Sequence, residues 1–134
     1  MSANTGREIE YQGDGGAKIT AYLAETDQEG ARPGLLLHHE AGGLSEFPKD
    51  IANRLAGQGY NVIAPDMYSR LPHPIADMAA AYKTMSDDQV LADLDAALEF
   101  LKSETNHNGK FGIIGFCTGN PIVYSGHSNQ MSAC

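Results

Sequence analysis

The sequence predicts an α/β fold in which a mostly parallel sheet carries helices on both faces. Two observations lead to it. Short apolar runs recur at Leu35–Leu37, Val62–Ala64 and Phe111–Ile114, each the length of a strand buried on both faces. The segments between them instead place apolar residues at helical spacing. Strand, helix, strand, helix, strand after an opening hairpin is the order that generates parallel crossovers.

The hairpin is read from Ile9-Glu10-Tyr11 and the alternating Ala17–Leu23, joined by Gly13-Asp14-Gly15-Gly16. Glu25 to Pro33 is polar and contains glycine, which suits a loop. Gly34–His39 is the next strand, and Glu40-Ala41-Gly42-Gly43 leads to a helix that Ser45 is placed to cap. Ile51, Ala52, Leu55 and Ala56 form its apolar stripe, Pro48 falls in its first turn, and Gly57 or Gly59 ends it. Tyr60–Ala64 is a strand stopped by Pro65, and Asp66 to Pro74 a loop. A short Ala-rich helix follows around Ile75–Met85. Ser86 and Gln89 match a capping box, and Val90, Leu91, Leu94, Ala97, Leu98 and Leu101 continue at helical spacing. The charges of Asp87–Glu104 read as a solvated helix face. Asn108-Gly109 is a turn and Lys110–Gly115 the last strand.

At 134 residues the chain has the length of one domain, long enough to bury a core without staples. Nine basic against seventeen acidic residues give a net charge of −8, with no basic stripe to track phosphates, so neither nucleic acid nor an anionic membrane is expected as a partner. Met1–Tyr11 lacks an apolar signal segment, and no run is long enough to span a bilayer. Cys117 and Cys134 belong to no disulfide pattern. The expectation is a cytoplasmic protein with reduced thiols.

Directly after the last strand, Gly115-Phe116-Cys117-Thr118-Gly119 has the form G-x-nucleophile-x-G with cysteine as the nucleophile. In such an elbow the reactive side chain sits on a tight strand-to-helix turn, and flanking small residues let strand and helix pass closely. A thiol there meets the positive end of the helix, which favours the thiolate. The N–H of Thr118 points toward a developing oxyanion.

Several ordered pieces accompany the elbow: His39-Glu40 with Gly43, Gln58-Gly59-Tyr60, Pro65-Asp66-Met67-Tyr68-Ser69-Arg70, Ala81-Tyr82-Lys83, Asn108-Gly109-Lys110 and Gly112–Cys117. Together they make the chain resemble the dienelactone hydrolase family of the α/β-hydrolase fold, from about Tyr11 to Gly119. The resemblance implies a truncated α/β-hydrolase domain with Cys117 as nucleophile of a Cys-His-Asp triad. It implies Glu40 as the carboxylate that contacts the thiol and helps deprotonate it when substrate arrives. Such a carboxylate raises the thiol pKa and keeps it protonated until a ligand displaces it. Ala41 matches the second oxyanion N–H beside Thr118, and Tyr82 a pocket-lining aromatic.

Met78 stands where the family carries an arginine for a substrate carboxylate, which favours a neutral ester or lactone as the small-molecule substrate. Asn120 replaces a second glycine after the elbow. The family places the triad Asp and His after two further strands, whereas this chain continues seventeen residues beyond Cys117. His127 lies ten positions past Cys117, about 15 Å along the axis of a helix, and does not replace the catalytic base without that helix breaking. Residues 120–134 read as an atypical coil tail, so residues 1–134 are expected to be a partial domain from a truncated or frame-shifted gene. Absent later strands, Phe111–Ile114 is an open apolar edge suited to pairing with a second copy as a homodimer.

No cofactor or metal is expected. Gly112–Gly119 lacks the G-x-G start of a dinucleotide loop and the acidic residue about twenty positions on. His38 and His39 are adjacent in a strand and point to opposite faces, which argues against a shared ion. His39 reads as a neighbour of the elbow and His38 as a packing residue.

Overall fold

The computed structural model describes residues 6–39, 43–71 and 75–115, the side chains of residues 78, 79 and 82 excepted. Strands β1 (Arg7–Gln12) and β2 (Lys18–Ala24) form the expected antiparallel hairpin, paired from Arg7↔Leu23 to Gln12↔Lys18 around a single 3₁₀ turn at Asp14–Gly16. Then follow β3 (Arg32–His38), α1 (Glu46–Gly57), β4 (Asn61–Pro65), α2 (Met78–Thr84), α3 (Asp87–Glu104) and β5 (His107–Gly115).

The sheet order is β1-β2-β4-β3-β5. β3 pairs parallel with β4 on one side and with β5 on the other, while the hairpin joins antiparallel through β2 and β4. The sheet is therefore mixed: its parallel half is the part built by helical crossovers, and the antiparallel half is the opening hairpin laid along it.

Alternation along β3 divides the core. Leu35 and Leu37 face α1, whose Ala52 and Ala56 pack against them together with Val62 and Ala64. Leu36 faces α3, whose Leu94, Ala97, Leu98 and Leu101 close over Ile63 and Ile113. Leu36, Leu94 and Leu101 are fully buried, each contributing about 2 kcal/mol by removal from water. The helices thus cover both faces, as the sequence pattern requires.

The helix starts differ in chemistry. Ser86 is the N-cap of α3 and its side chain accepts from the Gln89 N–H at 3.3 Å. The reciprocal half of the capping box is not made, because the Gln89 amide donates instead to Asp14 Oδ2 at 3.1 Å. Ser45 occupies the N-cap position of α1, but its side chain makes no capping hydrogen bond.

The Asn108-Gly109 turn lies inside β5 rather than before it. Arg32 pairs with His107 and Gly34 with Phe111, so β5 carries two residues more than β3 there. Asn108 Oδ1 accepts from the Lys110 N–H at 3.0 Å, and Gly109 sits at φ +85°, where a side chain is strained. The ladder then runs regularly from Gly34↔Phe111 to His38↔Gly115. Among the described residues, no helix is long and apolar enough to cross a membrane.

Candidate active site

In a parallel sheet with helical crossovers, ligands gather beyond the carboxyl ends of the strands. Here β3 ends at His38 and β5 at Gly115, and the two residues are register partners on neighbouring strands. Glu40 and Ala41 follow the first of these ends, and Cys117 and Thr118 the second. All four lie outside the described residues, as does the tail 120–134. Tyr82 belongs to the backbone of α2, and its side chain lies outside the described set, as does that of Met78. The structure brings the two flanking strand ends together and holds them with buried groups on the described side.

His39 is one of these groups. It is buried, and its Nε2 accepts a hydrogen bond from the Met67 N–H at 2.9 Å. A nitrogen that accepts carries no proton, so this imidazole holds its proton on Nδ1. Asp66 Oδ1, 3.8 Å from the same Nε2, accepts from the Tyr68 N–H instead, at 3.0 Å. The Tyr68 ring leans on His39 with centroids 5.2 Å apart. His39 thus ties the end of β3 to the loop after β4.

His38 departs from the expectation that neighbouring rings face opposite ways. Strand alternation lapses at the end of β3, and the His38 and His39 rings stack with centroids 5.7 Å apart and an interplanar angle of 22°. His38 is 5% exposed, and neither ring nitrogen has a hydrogen-bond partner among the described residues. Burial, and secondarily His39, push its pKa down to about 4, so the ring is neutral at pH 7. Among the described residues no three His, Cys, Asp or Glu side chains gather to hold a metal ion.

The loop after β4 is anchored by Arg70 through Asp93, one of the charges read from the sequence as a solvated helix face. Asp93 is 2% exposed on α3 and receives a two-pronged hydrogen bond from Arg70, Nε to Oδ2 at 2.7 Å and Nη2 to Oδ1 at 2.8 Å. Its Oδ1 also accepts from the Asp14 N–H at 2.9 Å, and its carbonyl from the Tyr11 hydroxyl at 2.9 Å. Arg70 Nη2 reaches the Asp14 carbonyl as well. Gly13 permits this approach, since a Cβ there would lie 2.6 Å from Asp93 Oδ1. The hydrogen bonds to Asp93 hold the Arg70 guanidinium still more firmly protonated, and burial, reinforced by Asp93, raises the Tyr11 pKa. The signal was present: position 93 falls at i+3 from Val90 and i−4 from Ala97, on the apolar stripe. A carboxylate on a buried stripe needs a cation, and Arg70 supplies it. Beside the pair lies a cavity of about 220 Å³, lined mainly by Met67, Leu71, Met85 and Val90 with Thr84 and Gln89.

Comparison with known proteins agrees with this architecture. Residues 19–133 match the dienelactone hydrolase family. A protein of Yersinia pestis provisionally named carboxymethylenebutenolidase is 34% identical over 93% of this chain and 49% of its own length. A similarly named Escherichia coli K12 protein is 34% identical over 93% and 48%. Among solved structures, a provisionally assigned dienelactone hydrolase from Klebsiella pneumoniae superposes with a TM-score of 0.77 at 29% identity, covering 91% of this chain and 53% of that one. A dienelactone hydrolase-like promiscuous phosphotriesterase from metagenomic libraries gives 0.73 at 29% identity, covering 88% and 51%. The chain spans about half the length of the curated relatives it matches.

Proposed function

The chain belongs to the dienelactone hydrolase family, and from that premise we propose that it carries the nucleophile half of a cysteine-dependent ester or lactone hydrolase site. Cys117 is the nucleophile. Its sulfur attacks the carbonyl carbon, its proton passes to the Glu40 carboxylate, and the N–H groups of Thr118 and Ala41 receive the oxyanion. Collapse of that intermediate expels the alkoxide and leaves a thioester on Cys117. Tyr82 lines the pocket. Met78, in place of a cation, suits a neutral ester or lactone over an anionic one.

The observation that carries this reading is the coincidence of motif and strand. The G-x-C-x-G elbow begins at Gly115, the last residue of β5 and the register partner of His38, and Glu40 follows two residues after His38. Both catalytic segments therefore leave from adjacent strand ends.

Water must next cleave the thioester, and that step calls for a general base. Beyond Cys117 the 134 residues contain one histidine, His127, and no aspartate or glutamate. As assayed on its own, this chain is proposed to acylate and to turn over near background. Incubation with p-nitrophenyl acetate followed by peptide mass analysis tests the reading. An acetyl group on Cys117, absent in Cys117→Ala, is expected; an unmodified Cys117 peptide rejects the nucleophile assignment.

A second reading is self-association without catalysis. It is favoured by β5, which pairs only with β3 among the described residues. A second copy joining that edge gives a two-fold dimer, and light scattering at twice the monomer mass is its expected signature.

A further inference from the structure

We propose that the cavity between the loop after β4 and the start of α3 is a binding site for an uncharged small molecule of about nine non-hydrogen atoms, apolar in its body and carrying one hydroxyl or amide. None of its walls comes from the Cys117 or Glu40 segments.

Its shape is that of a pocket with a buried floor. Met67, Arg70 and Leu71 belong to the loop after β4, and the facing wall runs from Thr84 at the end of α2 to Asp93 in α3. Met67, Val90 and Asp93 are buried, whereas Thr84 and Ser86 are exposed, so the floor is reached through an open rim. An apolar cavity of about 150 Å³ holds a benzene molecule. In proportion, about 220 Å³ holds a ring with a short substituent.

The walls are pinned on both sides. The Met67 N–H donates to His39 at 2.9 Å, and Arg70 is held by both oxygens of Asp93. Gln89 Nε2 donates to Asp14 Oδ2 at 3.1 Å, and Ser86 caps α3. Protein interiors are close-packed, and walls that are free to move close a gap of this size. Here they are fixed, which preserves the space as a pre-formed site. Met67 and Met85 contribute flexible thioethers that adapt to a ligand's outline.

Charge decides the class of ligand. The Asp93 carboxylate takes Arg70 Nε at 2.7 Å and Nη2 at 2.8 Å, so the two charges at the cavity answer each other. An anionic ligand would have to displace Asp93, and a cationic one would face the guanidinium. A neutral polar group meets neither cost. Arg70 Nη1 takes no part in these bonds, and Gln89, engaged through its Nε2, keeps its Oε1 as an acceptor. One donor and one acceptor beside an apolar floor match a hydroxyl or a primary amide.

The test uses the full chain with ¹³C-methyl-labelled methionine and 4-ethylphenol, uncharged at pH 7, as the probe. Saturable shifts of the Met67 and Met85 methyl resonances are expected, with nuclear Overhauser effects from both methyls to the ethyl group. No saturable shift overturns the proposal. Equal shifts across all five methionines also overturn it, since they mark general adsorption to apolar surface. Two probes of similar outline, 4-methylbenzoate and 4-methylbenzylammonium, are expected to bind at least about tenfold more weakly. Binding by either as tight as that of 4-ethylphenol overturns the assignment to uncharged ligands. Leu71→Trp adds an indole at the cavity wall and is expected to weaken 4-ethylphenol binding about tenfold. Parent-like binding by the folded variant overturns the site, and if that variant does not fold, the three probes on the parent chain decide alone.

Discussion

His38 and Asp93 are two buried ionisable side chains with opposite histories. Asp93 is matched on every side by Arg70 and the Asp14 N–H, whereas His38 has no partner among the described residues. Their consequences for stability differ in kind. The folded-state pKa of His38 lies at about 4 against an ordinary 6.5. Between those values the unfolded chain binds a proton that the folded chain refuses. The titration of His38 therefore contributes little above about pH 7 and destabilises progressively as the pH falls toward 4, by about 2 kcal/mol at pH 5. His38→Leu should remove that part of the acid limb, seen as a shallower fall in urea midpoint between pH 7 and 5 than the parent shows. An equally steep fall would place the loss on other groups. Breaking the Arg70–Asp93 pair acts at neutral pH. Asp93→Ala leaves a quarter-exposed guanidinium that water can still reach, and should cost about 3 kcal/mol. Arg70→Ala leaves the more deeply buried carboxylate and should cost no less. A double-mutant cycle by urea unfolding is the check, and additive losses would deny the coupling.

At the scale of elements, the two helix starts give a paired expectation. Ser86→Ala removes an observed capping bond and should cost α3 about 1 kcal/mol. Ser45→Ala removes none and should change the urea midpoint little, and equal losses would contradict the difference in capping. Why Ser45 was legible as a position but not as a bond is physical. Residue type and spacing locate the N-cap, while side-chain rotation decides whether the N–H is met. The strands were legible because Leu35–Leu37, Val62–Ala64 and Phe111–Ile114 are apolar on both faces, which only a sheet covered by helices on both sides accommodates. The start of β5 was less so, since Asn108-Gly109 carries turn chemistry that the ladder absorbs as a bulge. Likewise His38 and His39 were read by strand alternation, which stops applying where the strand stops.

For the molecule as a whole, the strand order sets the ends of β3 and β5 side by side, and two short segments continue the chain from them. Sequence motifs named the residues on those segments, Cys117 and Thr118 after β5 and Glu40 and Ala41 after β3. The described residues that precede them, His38 and Gly115, are register partners on neighbouring strands. The fold also gives a role to Asp93, which no motif flagged: with Arg70 it holds the loop after β4, and that loop holds His39 through the Met67 N–H. We propose that Cys117 is a working nucleophile and that these 134 residues, assayed alone, acylate faster than they turn over. Stopped-flow release of p-nitrophenolate from p-nitrophenyl acetate, with Cys117→Ala in parallel, tests it most directly. A burst of one equivalent per chain that depends on Cys117 is expected, followed by a rate near background. Sustained Cys117-dependent turnover, or no burst at all, would contradict it.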